Sequence, residues 1–264
     1  MSVPKRVLTI AGSDSGGGAG IEADLKTFAA LGAYGMAAVT AVTAQNTVAV
    51  TAVHDVPAQL VAAQIDAVAT DLGVDACKTG MLSNAEIVLA VCDALSRLRI
   101  EPVVVDPVMV AESGARLLHN DAVAALIEWL LPLATVLTPN MPEAETLTGA
   151  TIRDEVDLRR AAERLHEMGA RNVLMKGGHM QGAESVDYLF DGATWTAFRA
   201  PRLDTRSTHG TGCTYSAALA VFLAQGLEIA DAVRAAKRYL TGAMRHGLPF
   251  GAGAGPLDHG WTQK

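Results

Sequence analysis

Short, nearly continuous apolar runs alternate with longer stretches in which apolar residues recur every three or four positions. The short runs predict strands at 7–11, 36–42, 48–53, 76–82, 103–109, 135–140 and 173–179. The longer stretches predict helices at 21–31, 57–72, 85–98, 121–131, 143–147, 156–168, 217–225 and 229–244. Strands that alternate with helices and are mostly apolar on both faces indicate a mostly parallel sheet, with helices covering both sides.

The last third of the chain adds an antiparallel feature to this pattern. Segments 186–190 and 195–199 flank the turn sequence Asp191-Gly192-Ala193-Thr194 and predict a hairpin that extends the sheet. The glycine-rich tail at 247–255 is expected to be loose. Because no repeat, charged linker or low-complexity tract interrupts the chain, we expect one domain over residues 1–264.

Composition and charge narrow the class of protein. Half of the 264 residues are hydrophobic, which indicates a folded globular protein, and the net charge of −7 argues against nucleic acid or an acidic membrane as partner. No run approaches the ~18 apolar residues of a membrane helix, and the run at 7–11 is too short for a signal peptide. The three cysteines have no paired spacing, which argues against disulfides and zinc and predicts a cytoplasmic protein.

Polar side chains follow several predicted strands at the end where parallel sheets bind ligands. They are Asp106, Thr138, Asn140 and Lys176. Four groups of different chemistry at one edge indicate a binding site, although each alone could be a turn residue or a cap. Glu143 could hold Mg²⁺ together with Asp106, directly or through water, or could be an ordinary acid in the first turn of a helix.

A glycine-punctuated turn at 207–212 leads into the apolar helix at 217–225. Gly210 and Gly212 allow the backbone to approach a ligand, and the amides of the first helical turn lack intrahelical partners. These amides and the helix dipole predict an anion site. Cys213 lies among them, so its thiol is expected to ionise below the usual pKa of ~8.5. The alternative is a helix start that contains a small buried cysteine.

A second glycine-rich loop, 12–20, joins the first strand to the first helix, as in a ligand-binding turn. The loop carries neither the dinucleotide fingerprint nor a P-loop. Asp14 and Asp24 could be caps and surface carboxylates as readily as ligand contacts. Gln45 follows a predicted strand; its amide could read a heterocycle through an acceptor and a donor, or it could belong to an ordinary polar turn.

Together these groups are the parts that phosphoryl transfer requires: amides and a lysine for charged oxygens, and carboxylates for Mg²⁺. The chain resembles the hydroxymethylpyrimidine/phosphomethylpyrimidine kinases of thiamine biosynthesis, within the ribokinase-like superfamily. The segments that carry the resemblance are LTIAGSDSGGGAGI (8–21), ADLKTF (23–28), KTGML (78–82), DPVM (106–109), TPN (138–140), MKGGH (175–179) and THGTGCT (208–214). The resemblance implies a three-layer α/β/α fold with a central, mostly parallel sheet.

The resemblance also implies a role for each candidate residue. Gln45 would read the amino group and hydroxymethyl region of the pyrimidine, in a pocket lined by Gly12, Ala19, Met81 and Val108. ATP would be bound by Lys176, Thr138, Asn140, His209, Gly210 and Gly212. Mg²⁺ and its waters would be organised by Asp106 and Glu143. Catalysis would involve Lys176 and the anion hole of Gly210, Thr211, Gly212 and Cys213, in which Cys213 removes a proton or positions the alcohol.

The implied reaction is the phosphorylation by MgATP of 4-amino-5-hydroxymethyl-2-methylpyrimidine and then of its monophosphate. Pyridoxal kinase is the close alternative. Gln45 and Lys176 favour the pyrimidine, because pyridoxal kinases with the same cysteine differ at both segments. A catalytically silent pyrimidine-binding sensor is disfavoured, because Asp106, Lys176 and the anion-hole glycines are all present. The resemblance further implies a homodimer.

Overall fold

The computed structural model describes residues 3–112, 114–115, 117–179 and 182–263 of the chain. The strands are β1 Arg6–Ala11, β2 Tyr34–Val39, β3 Ala41–Gln45, β4 Val50–Asp55, β5 Ala76–Thr79, β6 Val103–Val105, β7 Val136–Leu137, β8 Val173–Met175, β9 Glu184–Phe190 and β10 Trp195–Pro201. The helices are α1 Gly20–Ala30, α2 Ala58–Asp71, α3 Ala85–Leu98, α4 Asn120–Ala125, α5 Met141–Thr148, α6 Glu155–Glu167, α7 Thr211–Ala224 and α8 Ile229–Arg245. Across this described part, no helix is both long enough and apolar enough to cross a membrane.

The central sheet has eight strands in the order β10-β9-β8-β7-β6-β5-β1-β2. From β2 to β8 every neighbouring pair is parallel, whereas β9 and β10 form the predicted hairpin and add to β8 in the antiparallel direction. The sheet is therefore mostly parallel, and the carboxyl ends of its central strands meet along one edge.

Helices cover both faces of this sheet, because successive side chains of a buried strand point to opposite sides. In β6, Val103 and Val105 join the core formed with α2 to α6, whereas Val104 joins the core formed with α1, α7 and α8. In β1, Leu8 and Val7 divide between the two cores in the same way. The predicted three-layer α/β/α architecture is confirmed.

The prediction of a single strand at 36–42 is wrong, because two strands share this segment. β2 ends at Val39, and the chain then leaves the main sheet to form a separate two-stranded antiparallel sheet of β3 and β4. The break falls at Thr40, which is buried and donates its hydroxyl to the Met81 carbonyl oxygen at 2.7 Å. This tertiary hydrogen bond leaves no mark on the apolar pattern, so the pattern alone joins the two strands. We call β3 and β4 the flap.

The helix predicted at 121–131 is also more complex than expected. α4 ends at Ala125, and the chain continues as a π-helical turn, Leu126–Leu130, and a 3₁₀ turn, Leu131–Leu133. Pro132 lies in the 3₁₀ turn and has no backbone N–H to donate, which prevents a regular helical continuation.

The glycine-rich tail is not loose, contrary to expectation. Leu248 N–H donates to the Pro256 carbonyl oxygen at 2.9 Å, and His209 N–H donates to that of Gly255 at 3.1 Å. A Cβ atom at Gly253 would lie 1.8 Å from the Thr47 carbonyl oxygen, so only glycine permits this packing. The glycines therefore allow the tail to pack closely against the flap and the turn before α7.

Candidate active site

A cavity of about 460 Å³ lies at the carboxyl ends of the central strands and continues beneath the flap. It is lined by most of the residues that the sequence singled out: Gly12, Ala19, Gln45, Met81, Asp106, Val108, Asn140, Glu143, Lys176, His209, Gly210, Thr211, Gly212 and Cys213. Thr138 lies behind this lining; it is buried, and its hydroxyl donates to Asp106 Oδ1 at 3.3 Å. One continuous cavity thus brings together residues that are far apart in the sequence.

Lys176 lies between two carboxylates at the centre of the cavity. Its Nζ is 2.8 Å from Asp106 Oδ1 and 3.7 Å from Glu143 Oε2. The lysine side chain is 14% exposed and the Asp106 side chain 1%, so the ammonium faces the cavity while the carboxylate is covered. Each residue directly follows a short strand, Asp106 after β6 and Lys176 after β8, which explains why their side chains meet.

Burial and Lys176 shift the pKa values of Asp106 and Glu143 in opposite directions. Burial favours the neutral form of Asp106, but Lys176 and Lys78 outweigh it and hold the pKa of Asp106 below its usual range. For Glu143 burial prevails over the more distant Lys176, and the pKa rises to about 7. Burial opposes the charge of Lys176 itself, but Asp106 and Glu143 raise its pKa, so the lysine stays protonated.

Asn140 and Glu143 also have a structural role in starting α5. Asn140 Oδ1 accepts from Glu143 N–H at 2.9 Å, and Glu143 Oε2 accepts from Asn140 N–H at 2.8 Å. This reciprocal pair is a capping box. The reading of Glu143 as a first-turn acid is therefore correct, and the same cap places its carboxylate beside Lys176.

Asp106 and Glu143 form a candidate Mg²⁺ site. The two carboxylates already share one cation, the Lys176 ammonium, which shows that the position between them suits positive charge. Mg²⁺ usually binds through one or two carboxylates plus waters and substrate phosphates, so two acids suffice. No cluster of three or more His, Cys, Asp or Glu suited to a metal occurs among the residues that the structure describes. The donor set fits Mg²⁺ held partly by water.

The amino terminus of α7 borders the cavity beside Asp106 and Lys176. Gly210 precedes the helix with φ of +83°, and a Cβ atom there would lie 1.9 Å from the Gly18 carbonyl oxygen, so glycine is required. The Cα of Gly212 faces Asp106 and Lys176: a Cβ atom there would meet Asp106 Oδ2 and Lys176 Nζ at 3.4 Å. The first turn of α7 therefore lies next to the lysine. The Thr211 N–H already donates to the Thr208 carbonyl oxygen at 3.2 Å, which leaves the amides of Gly210 and Gly212 as the candidate donors of the predicted anion site.

Cys213 lies in this first turn, but the prediction of a readily ionised thiol is wrong. Burial raises the pKa of Cys213 to about 11. Lys78 and the Gly20 N–H favour the thiolate, but they do not offset desolvation and the negative charges of Asp24 and Asp106. The position at a helix start is visible in the sequence, whereas these buried acids are brought close only by the fold.

Lys78 and Asp24 form a fully buried ion pair that sequence reasoning missed. Lys78 Nζ donates to Asp24 Oδ2 at 2.9 Å, the Thr9 hydroxyl donates to the same oxygen at 2.6 Å, and both charged side chains are 0% exposed. Asp24 is therefore not a surface carboxylate. A lysine inside an apolar strand, as in Ala76-Cys77-Lys78-Thr79, is the sequence signal that could have indicated this pair.

Asp14 is also buried, and it organises the first glycine-rich loop. Its carboxylate accepts backbone N–H groups from Gly16, Gly18 and Ala19 at 2.8, 3.0 and 2.8 Å, and Asp14 Oδ2 lies 2.8 Å from His209 Nε2. Burial favours the neutral acid, but these hydrogen bonds hold the pKa of Asp14 below its usual range. The loop is thus tied to the turn before α7.

Gln45 is the last residue of β3 rather than a residue beyond a strand of the main sheet. Its Nε2 lies 3.4 Å from His209 Nε2, and the same ring nitrogen lies 2.8 Å from Asp14 Oδ2, so His209 meets both residues through one atom. His209 was predicted to bind ATP with Lys176, but its side chain contacts the flap and the first loop. The structure therefore groups His209 with the Gln45 end of the cavity.

The three-layer fold and this constellation define a small-molecule kinase of the ribokinase-like class. Residues 14–258 match the family model described as phosphomethylpyrimidine kinase. The chain is 56% identical over 255 residues to the hydroxymethylpyrimidine/phosphomethylpyrimidine kinase of Rhizobium meliloti (strain 1021). The aligned region covers 96% of this chain and 96% of that kinase. The chain belongs to the phosphomethylpyrimidine kinase family.

Two further comparisons place the chain within its wider group. It is 56% identical over 253 residues to the thiamine biosynthesis bifunctional protein ThiED of Geobacter sulfurreducens; the match covers 96% of this chain and 52% of that protein, so the chain spans about half of its length. The crystal structure of Bacillus subtilis pyridoxal kinase in an ADP complex matches with a TM-score of 0.91 at 38% identity, covering 99% of each chain.

Proposed function

We propose that the chain transfers the γ-phosphoryl group of ATP to the hydroxymethyl group of 4-amino-5-hydroxymethyl-2-methylpyrimidine. A second transfer would convert the resulting monophosphate into the diphosphate, for thiamine biosynthesis. The observation that carries the proposal is that a single cavity joins Lys176, the paired acids and the α7 amides to a pocket that contains Gln45. The identity of 56% to a kinase named for both pyrimidines, against 38% to a pyridoxal kinase, supports the choice of acceptor.

The centre of the cavity is suited to holding the transferred phosphoryl group. Phosphoryl transfer depends mainly on positioning and on stabilising negative charge at the phosphate oxygens. Lys176 supplies a permanent positive charge, and the amides of Gly210 and Gly212 would supply donors at a helix terminus. Asp106 and Glu143 would hold Mg²⁺, which would neutralise phosphate charge when bound.

The pyrimidine would occupy the end of the cavity beneath the flap. Gly12, Ala19, Met81 and Val108 would contact the ring, and they line the same cavity as Gln45. The Gln45 amide offers one acceptor and two donors to the polar edge of an aminopyrimidine. The flap position of Gln45 would let it close over a bound ring.

Cys213 would lie where the acceptor alcohol meets the phosphoryl group. Because its pKa is about 11, the thiol is protonated at neutral pH. It would therefore orient the alcohol and would not act as a thiolate base. A loose transition state needs little help from a base, which is compatible with a protonated thiol.

Steady-state kinetics with the pyrimidine alcohol, its monophosphate and pyridoxal test the proposal directly. We expect turnover of both pyrimidines with MgATP. A kcat/KM for pyridoxal that exceeds the pyrimidine value tenfold would instead assign the chain to vitamin B6 salvage. Pyrimidine binding without ATP turnover or phosphoryl transfer to any of the three would indicate a catalytically silent sensor.

Gln45→Leu tests the placement of the pyrimidine. The substitution leaves polar atoms of the ligand unpaired, at about 1–3 kcal/mol each, so pyrimidine affinity should fall by roughly tenfold to a hundredfold while ATP affinity is retained. Val42→Thr is a matched control, because this exposed side chain also belongs to β3. Unchanged pyrimidine affinity in Gln45→Leu would place the ring elsewhere.

We further propose that residues 1–264 act as one domain, that the protein works as a homodimer and that it resides in the cytoplasm. Family resemblance supports the dimer, and the unpaired cysteines Cys77, Cys92 and Cys213 support a reducing compartment. Sedimentation equilibrium tests the dimer, and localisation of a tagged full-length chain tests the compartment.

A further inference from the structure

Another buried carboxylate, Asp187, lies on β9 at the wall of the cavity and has three donors. Its Oδ1 accepts from Gly177 N–H at 2.9 Å, and its Oδ2 accepts from Lys237 Nζ at 2.6 Å and from the Tyr215 hydroxyl at 3.0 Å. The residue is 3% exposed. Asp187 therefore connects β9 to α7, α8 and the turn that follows β8.

The first of these donors is the residue immediately after Lys176. A Cβ atom at Gly177 would lie 1.7 Å from the Val186 carbonyl oxygen, so the backbone at this point is pressed against β9. On the other side, Lys176 N–H donates to the Pro139 carbonyl oxygen at 2.9 Å. The backbone of Lys176 is thus fixed before the residue by Pro139 and after it by Asp187.

The other two donors fix the orientation of the carboxylate. Burial and the neighbouring carboxylate raise the pKa of Tyr215 well above its usual range, so its hydroxyl remains a donor. Lys237 belongs to α8 and is 9% exposed at its side chain. Because two helices hold Oδ2, the other oxygen, Oδ1, is directed toward the Gly177 amide.

We propose that Asp187 is a positioning residue for Lys176: it holds the peptide after the lysine so that the ammonium is aimed at the phosphates of ATP. The proposal rests on the proposed function for the role of Lys176. Asp187 borders the cavity, but its two oxygens are occupied by Gly177, Lys237 and Tyr215, so the proposed effect passes through Lys176. Small displacements of a positioned catalytic group have large effects on rate, which gives this contact functional weight.

A matched pair of variants tests the Gly177 contact. Asp187→Asn/Lys237→Met and Asp187→Ala/Lys237→Met both remove the buried ion pair, so neither leaves an unpaired charge. Only the asparagine variant retains an acceptor for Gly177 N–H. We expect the asparagine variant to bind ATP about three- to tenfold more tightly than the alanine variant, because that is the net effect of one hydrogen bond. The two variants should bind the pyrimidine equally well. Equal ATP affinity of the two variants would overturn the proposal.

Repeating the comparison in a Lys176→Ala background tests the route of the effect. If Asp187 acts through Lys176, the difference between the asparagine and alanine variants disappears when the lysine is absent. A difference that persists would show a merely structural role and would overturn the proposal. Glu184→Gln is the control, since it is an exposed acid on the same strand.

The readout separates this proposal from the proposed function. Calorimetric titration with ATP does not depend on which alcohol is the acceptor. A wild-type protein that phosphorylates neither pyrimidine would refute the proposed function while leaving the ATP affinities interpretable. Loss of the asparagine–alanine difference in a protein that does phosphorylate the pyrimidine would refute only the role of Asp187.

Discussion

Lys176 is the residue at which two requirements of the site meet. In the structure its ammonium bridges Asp106 and Glu143. Under the proposed function, Asp106 and Glu143 would hold Mg²⁺, which would supply charge neutralisation, and Lys176 would contact the phosphates. One side chain would then serve both to neutralise the two acids and to stabilise negative charge on the phosphates.

Lys176→Ala should therefore weaken the use of ATP more than pyrimidine binding. A charge-assisted contact contributes about 1.5–3 kcal/mol, so kcat/KM for ATP should fall roughly tenfold to a hundredfold. Calorimetry with each substrate and steady-state kinetics measure the two effects. Lys5→Ala is the control, because this exposed lysine directly precedes β1 and so lies at the end of the strand away from the cavity. ATP kinetics identical to wild type would show that Lys176 does not meet the phosphates.

Cys213→Ala should lower kcat and leave pyrimidine affinity nearly unchanged. Loss of a general base costs about 10²–10⁴-fold, and a protonated thiol in a loose transition state predicts the low end of that range or less. Single-turnover phosphoryl transfer measures the step. Cys92→Ala removes a buried thiol from α3 and controls for packing. A variant that turns over at the wild-type rate would reduce Cys213 to a space-filling residue.

At the scale of elements, α7 combines a packing helix with a binding terminus. Its residues Leu219 and Val221 are fully buried in the core between the sheet and α8, while its first turn lines the cavity. The apolar body anchors the helix, so the free amides at its start are held rigidly next to Asp106 and Lys176. Packing on one side of the sheet thereby supports the chemistry at its edge.

The two ends of α7 provide a matched test of this arrangement. Gly210 and Gly226 have φ of +83° and +87°, but a Cβ atom at Gly226 meets nothing within 4 Å, whereas one at Gly210 strikes Gly18. Gly226→Ala should cost about 1–2 kcal/mol from the left-handed backbone alone and should keep kcat. Gly210→Ala should cost more and should also lower kcat, because the first turn must shift. Urea unfolding and kinetics measure both, and equal effects at the two ends would contradict the tight contact at Gly210.

At the scale of the whole molecule, the closing segment of the chain is part of the buried structure. His259 is buried; its Nε2 lies 3.0 Å from the Thr214 hydroxyl, and its carbonyl oxygen accepts from the Tyr239 hydroxyl at 2.6 Å. Burial, with a smaller contribution from Lys26, lowers the pKa of His259 to about 4. The segment after α8 thus couples the stability of the protein to pH.

The sign of this coupling follows from proton binding. The pKa of His259 falls from 6.5 in the unfolded chain to about 4 in the fold, so between these values the unfolded state binds more protons. Stability from the neutral imidazole is fully present above pH 6.5 and is lost as pH falls toward 4, by roughly 3 kcal/mol. His259→Asn should flatten this part of the curve. Urea unfolding of both proteins at several pH values between 7 and 4 gives the difference, and parallel curves would exclude His259 as the cause.

Local pattern was sufficient for much of the fold. The helix predicted at 85–98 coincides with α3, and Asp106 and Lys176 were placed at one sheet edge because each follows an apolar strand. The spacing of apolar residues, and a polar residue directly after an apolar strand, involve only positions close together in the sequence. Both features can therefore be read from the sequence alone. The glycine turn before α7 was recognisable for the same reason, since the need for φ above zero is a property of one residue.

Tertiary structure decided which distant residues share an environment. Lys78 and Asp24 are 54 positions apart, and His209 and Asp14 are 195 apart, yet each pair is buried in contact. The pKa of Cys213 depends on the acids and the lysine that the fold brings around it, so its helix position alone predicted the wrong direction. The sequence by itself determined the order of elements and the chemistry available at the sheet edge. Packing determined the charge states, because desolvation and Coulomb interactions depend on distance in space and not on distance along the chain.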